Sequence, residues 1–125
     1  MSLRVLHAPT MVGGNPAGLV AAERELGLES WSAVLSDTSQ RYPADEIVWT
    51  EGDGPVTRER KRRWLWRRTL REFDVVHFNF GLSFAPTWGE SRTERAANYT
   101  AWLRSGFRRY ARWFREREFR AYGKR

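Results

Sequence analysis

Apolar positions at the start of the chain change their period twice, and each change marks an element. Leu3, Val5 and Leu6 make a short apolar strand that begins almost at the first residue. After His7, the run Ala8-Pro9-Thr10-Met11-Val12-Gly13-Gly14-Asn15 is rich in turn formers and reads as a loop. Pro16 suits the first turn of a helix, where its missing N–H costs nothing. Leu19, Val20, Ala22, Glu23 and Leu26 then keep helical spacing, and Gly27 is a natural stop. Alternation returns with Trp31, Ala33 and Leu35 set against Ser32, Val34 and Ser36, which predicts a second strand closed by the polar loop Asp37-Thr38-Ser39-Gln40.

The turn Tyr42-Pro43-Ala44-Asp45 leads to Ile47-Val48-Trp49, long enough only for a short third strand, and Glu51-Gly52-Asp53-Gly54-Pro55 breaks the chain again. A helix is predicted from about Thr57 to Glu72, with Trp66, Leu70 and Phe73 on one face. Phe73-Asp74-Val75-Val76-His77-Phe78-Asn79-Phe80 is the most apolar stretch; its β-branched and aromatic content predicts a buried fourth strand, ended by Gly81. Beyond a loop from Gly81 to Gly89, residues 91–121 predict one long helix with a weak point at Gly106. Strand–helix alternation without an internal repeat predicts a doubly wound parallel α/β sheet with a long C-terminal helix. A length of 125 residues allows one such domain, over 1–125.

Composition removes several kinds of chemistry. There is no cysteine, hence no disulfide framework, thiol nucleophile or Cys-based zinc site. With only His7 and His77, a His-rich metal site is excluded as well. No apolar run approaches the ~20 residues that span a bilayer, and the N-terminus has no signal-peptide core, so a cytoplasmic protein is expected. Charge is strongly asymmetric. The formal net charge of +7 divides into three Arg against eight acids over residues 1–57 and 19 Lys+Arg against seven acids over 58–125, or −5 and +12. A basic half points to an anionic partner. The scarcity of lysine (Lys61 and Lys124 only) equally suits a solvated surface in an Arg-biased protein.

In a doubly wound sheet, ligands bind beyond the C-terminal strand ends, where the strand order reverses. For an order 3-2-1-4 that crevice opens between strands one and four. His7 ends strand one, His77 and Asn79 lie near the end of strand four, and Gly13-Gly14-Asn15 leads into a helix N-terminus over the same place. Unpaired N–H groups there suit a phosphate or another anion. The plainer alternatives are packed or hydrogen-bonded histidines and a tight glycine turn. Asp37 stands where a ribose-binding acid would, but Gly13-Gly14-x-x-x-Gly18 is not the dinucleotide fingerprint, and no Lys follows the glycines as a phosphate loop requires. No cofactor is therefore expected.

Arg4-Val5-Leu6-His7-Ala8-Pro9-Thr10, Gly13-Gly14-Asn15-Pro16-Ala17-Gly18, the helix end Arg24-Glu25-Leu26-Gly27 and Phe73 to Gly81 together resemble the N-terminal domain of GT-B-fold glycosyltransferases, closest to the bacterial family 4 (group 1) enzymes. The resemblance covers residues 3–86 and implies an incomplete, Rossmann-like N-terminal half. It implies a transferase that moves a sugar from a nucleotide-sugar donor to a sugar or lipid-linked acceptor. Gly13, Gly14, Asn15, His77 and Asn79 would then bind substrate. Related sequences often carry a second His where Asn79 stands, so the catalytic group stays unassigned. The C-terminal donor domain with its paired-glutamate motif is absent from these 125 residues, which implies a truncated form without transferase activity of its own.

The predicted helix over 57–72 opens Thr57-Arg58-Glu59-Arg60-Lys61-Arg62-Arg63, placing cations against the unfavourable end of the helix dipole, so solvent or an anionic partner is expected to compensate. In the last helix Tyr99, Trp102, Leu103, Gly106, Tyr110, Trp113 and Phe114 form one stripe, and Arg104, Arg108, Arg112 and Arg115 form another. The aromatic stripe suits packing on the sheet. The Arg row suits an anionic membrane surface at the cytoplasmic face, which the family resemblance favours, or a solvated face. Rings beside arginines also suit single-stranded nucleic acid, so a non-enzymatic basic α/β module that binds nucleic acid is the alternative reading.

Overall fold

A computed structural model of the chain describes residues 2–11, 13–36, 42–79, 83–86 and 101–123; the side chains of 101–105 and 107 lie outside that description. The chain divides into two units, 1–84 and 85–125. The first contains β1 (Arg4–Ala8), α1 (Asn15–Glu25), β2 (Glu29–Val34), β3 (Glu46–Ile47), α2 (Pro55–Glu72) and β4 (Val75–Phe78). All strand pairs are parallel and the order is β3-β2-β1-β4. This is the parallel α/β architecture expected from the sequence, in the strand order under which a crevice opens between β1 and β4.

Parallel neighbours need a crossover, and the sequence supplies α1 between β1 and β2. Gly14 precedes α1 and Pro16 sits in its first turn. Gly27, with φ +85°, ends it. The amides of Gly27 and Leu28 donate to the carbonyls of Arg24 and Glu23, each at 3.0 Å, closing the last turn where a left-handed residue is needed. β2 begins two residues earlier than the alternation suggested, because the Glu29 amide donates to the Leu3 carbonyl at 3.0 Å. β1 is one of the two inner strands of the sheet, and Leu6 and Ala8 are fully buried. Val5, His7, Ser30 and Ser32 share the face covered by α1, as the register of β1 on β2 requires.

β4 departs from expectation. Its apolar run predicted a strand buried on both faces, but Val75 is 45% exposed and Val76 and Phe78 are only half-buried. Among the described residues β4 has one neighbour, β1, and so lies at an edge of the described sheet. Asp74 pins its start: the Arg4 amide donates to Asp74 Oδ2 and the Asp74 amide to the Arg4 carbonyl, each at 2.9 Å. β3 is shorter than expected at two residues, although the Val48 and Trp49 amides continue to the Val34 and Leu35 carbonyls.

α2 starts at Pro55, and its buried face is Arg62, Leu65, Trp66 and Thr69, so Leu70 is rotated to a half-buried position. Its cations are largely compensated from within. Arg62, 3% exposed, donates from Nη1 to the Phe84 carbonyl at 2.9 Å and from Nε to Glu59 at 3.2 Å. Arg58 and Arg62 both lie over the Trp49 ring, at 5.3 and 5.2 Å, and the Trp49 indole donates to the Arg58 carbonyl at 3.1 Å. Lys61 donates to Asp53. An anionic partner is therefore not required at this helix end.

The second unit contains α3 (Ala101–Tyr122). Phe114 and Glu118 are its buried positions among the described side chains, with Tyr110, Ala111, Ala121 and Tyr122 half-buried in the same stripe. Gly106 and Trp113 are exposed, so the stripe is rotated from the expected one. Tyr110 keeps its stacked contact with Trp113 at 5.8 Å, and the Tyr122 hydroxyl donates to Glu118 at 2.8 Å. Residues 91–100, Tyr99 among them, and the side chains of Trp102 and Leu103 lie outside the described residues. No helix among the described residues is long and apolar enough to cross a membrane.

Two outcomes are expected. Arg62→Ala removes the buried guanidinium's bonds to the Phe84 carbonyl and Glu59 and one of the two cations over Trp49, and should lower unfolding free energy in urea by about 2 kcal/mol. The Asp53 carboxyl is held at about 2, below its ordinary 3.8, by hydrogen bonds from Lys61 and the Thr50 backbone. A depressed carboxyl stabilises the fold above its ordinary value, so this contribution should fade as pH falls from about 4 through 2. Asp53→Asn should make the acid limb of a fluorescence-monitored stability curve shallower over that window.

Candidate functional site

Strand order places a crevice between β1 and β4, because the chain leaves β1 toward β2 on one side and returns beside it as β4 on the other. A cleft of about 630 Å³ occurs there, lined by Gly13, Gly14, Asn15, Gly18, Leu19, His77 and Asn79. All five residues expected from the sequence to bind substrate therefore lie on one wall system. Gly13 and Gly14 have φ +59° and +71°. A Cβ on Gly14 would come within 2.9 Å of the Tyr42 ring, whereas one on Gly13 would meet nothing. The glycines thus have separate reasons: both need the left-handed conformation, and position 14 also needs the missing side chain. Among the described residues no side chain caps α1, and no acid occupies its first turn, so the positive end of its dipole faces the cleft.

Behind His77, titratable groups continue from the cleft into the fold. Register sets His7 beside His77. Their rings meet edge to face at 84°, and the two Nδ1 atoms are 3.0 Å apart. His7 is 1% exposed, and its Nε2 lies 2.8 Å from Glu23 Oε2 on α1. Ser30 Oγ donates to the same carboxylate oxygen at 2.6 Å. Burial pushes the Glu23 carboxyl up, but the hydrogen bonds from Ser30 and His7 and the nearby imidazoles outweigh it, leaving the group below its ordinary value. Glu23 is thus an ionised acceptor near neutrality. Asn79, buried, donates from Nδ2 to the Thr10 carbonyl at 3.2 Å and ties the end of β4 to the loop after β1.

Glu23 and Ser30 extend this line of hydrogen bonds, and the sequence pattern did not single them out. Glu23 fits the helical spacing as an ordinary surface position, and Ser30 precedes the alternation that marked β2. The available signal was the pairing of a strand-end histidine with an acid on the next helix, two turns in from Pro16. Among the described residues no three His, Cys, Asp or Glu side chains gather for a metal.

A second cleft of about 580 Å³ lies at the opposite, N-terminal strand ends, lined among others by Arg4, Arg24, Arg68, Glu72 and Trp31. Its arginines are paired: Arg4 with Asp74, Arg24 with Asp45 and over Trp31, Arg68 with Glu46 and Glu72. These pairs tie elements together at that end of the sheet. Of the expected Arg row, Arg108, Arg112 and Arg115 are exposed on α3, and the Arg104 side chain lies outside the described residues. Asp37 also lies outside them.

Substitution of the glycines should separate backbone from space. Asn tolerates the left-handed region, so Gly13→Asn should cost little, whereas Gly14→Asn should lose about 1–3 kcal/mol in denaturant unfolding as Tyr42 is displaced. Comparison with protein-family models, with curated proteins and with solved structures finds no match, so the geometry of the cleft carries the functional reading.

Proposed function

We propose that residues 1–84 are the acceptor-side part of a glycosyltransferase that moves a sugar from a nucleotide-sugar donor, within a doubly wound GT-B-type half. The observation that carries this reading is the cleft at the β1–β4 crossover, where the glycine loop, the uncapped start of α1, His77 and Asn79 converge. An uncapped helix start suits the donor's phosphate charge, and a polar wall of His and Asn suits sugar hydroxyls. Most of the donor's charge would be met by a second, donor-binding domain, so residues 1–125 alone are expected not to turn over a nucleotide sugar.

The exposed face of α3 supports a peripheral role at the cytoplasmic membrane face. Arg108, Arg109, Arg112, Arg115, Arg117 and Arg120 are exposed there, with Trp113 46% and Phe119 57% exposed among them. Arg cations with partly inserted rings match the headgroup layer of an anionic bilayer. Stacking of Tyr110 and Arg117 on Trp113 equally favours the second reading, a basic module that binds single-stranded nucleic acid.

UDP-glucose titrated into the isotope-labelled chain should shift the amides of Gly13, Gly14, Asn15, Gly18 and His77 without releasing UDP. Shifts confined to other residues, or none at millimolar ligand, contradict the sugar-transfer reading. Catalytic release of UDP by the purified chain contradicts the need for a second domain. For α3, co-sedimentation should favour anionic over neutral vesicles and weaken in an Arg108/Arg112/Arg115→Gln variant. Equal binding to both vesicles, with steeply salt-dependent oligonucleotide binding instead, selects the nucleic-acid module.

A further inference from the structure

We propose that Glu23, His7 and His77 form a proton relay that makes Nε2 of His77 the general base of the cleft. Each nitrogen along the line has one role. The Glu23 carboxylate can only accept, so His7 Nε2, 2.8 Å away, must carry a proton. With His7 neutral, its Nδ1 is an acceptor, and the proton in the 3.0 Å contact between the two Nδ1 atoms belongs to His77. The second nitrogen of His77 is then a lone pair. It has no hydrogen-bond partner among the described residues, and its ring lines the cleft. This tautomer is the reverse of the one a solvated histidine side chain prefers.

A second proton location completes the relay. When a substrate hydroxyl gives its proton to His77 Nε2, the O–H bond breaks and the Nε2–H bond forms. The His77 Nδ1–H proton passes to His7 Nδ1. His77 ends neutral in its other tautomer, His7 ends as an imidazolium against the Glu23 carboxylate, and the substrate oxygen keeps the electron pair. One proton enters the line and one is stored on His7; nothing is oxidised or reduced. Charge that would otherwise remain at the cleft is held where a fixed carboxylate already faces it.

A purely structural histidine at a buried strand end can satisfy its N–H with a backbone carbonyl and its lone pair with a backbone amide. Here both bonds lie in one line from a helix carboxylate to a solvent-facing ring. Ser30 holds the far end of that line, fixing the Glu23 oxygen that receives His7. His77 is the catalytic base, and His7, Glu23 and Ser30 are positioning residues. The identity of the hydroxyl, a sugar acceptor, rests on the proposed function; the relay itself does not.

Diethyl pyrocarbonate tests the relay without any substrate, because it acylates an unprotonated imidazole nitrogen. Peptide mapping should show modification at His77 and protection of His7. Glu23→Gln either removes the charge behind His7 or reverses both tautomers, and should slow acylation of His77 roughly three- to tenfold. His7→Gln should slow it similarly and serves where Glu23→Gln does not fold, as judged by circular dichroism. Glu25→Gln, an exposed change on the same helix, should leave the rate unaltered. Equal His77 rates in wild type, Glu23→Gln and His7→Gln overturn the relay, as does faster modification of His7 than of His77. Because no sugar is present, this failure is distinct from failure of the UDP-glucose titration.

Discussion

The His7 ring is buried at the C-terminal end of the central strand, where each unsatisfied nitrogen would cost about 1–3 kcal/mol. Meeting that demand joins four elements. Nε2 reaches Glu23 on α1, Ser30 on β2 reaches the same carboxylate, and Nδ1 reaches His77 on β4. The interaction that satisfies a buried polar group therefore also sets α1 over the β1–β2 face and fixes the register of β4. The cleft exists where it does because the strand order opens there, and polar groups gather beside it because β1 carries a histidine one residue before its end rather than an aliphatic residue.

Much of this was legible in the chain. Period changes located β1, α1, β2 and α2 to within about two residues, and alternation of strand with helix implied the parallel sheet. For the order β3-β2-β1-β4, the topological rule brings Gly13, Gly14, Asn15, His77 and Asn79 to one crevice. What escaped depends on partners distant in sequence. Glu23 looks like any helix surface acid until His7 is placed beneath it. β4 reads as doubly buried because Val and Phe are dense there, yet side-chain composition does not say how many neighbours a strand has. Helical spacing likewise gave the period of the α2 and α3 stripes but misjudged their rotation, which the particular anchors Arg62 and Glu118 determine.

Charge asymmetry takes on different meanings in the two basic helices. Along α2 the cations at 58, 61 and 62 are occupied by Trp49, Asp53, Glu59 and the Phe84 carbonyl, so their sequence signature overstated the case for an outside anion. Along α3 the exposed arginines stand beside exposed rings, and it is this helix that carries the case for an anionic surface. Net charge by itself did not distinguish the two; pairing and exposure do.

The central claim is the direction of the hydrogen bond between the two histidines, and NMR reads it directly. In the imidazole-labelled protein, a nitrogen–nitrogen coupling through that bond should connect Nδ1–H of His77 with the unprotonated Nδ1 of His7, while His7 carries its proton on Nε2. Absence of the coupling, with the His77 proton found on Nε2 instead, would contradict the relay and leave His7 a buried structural histidine.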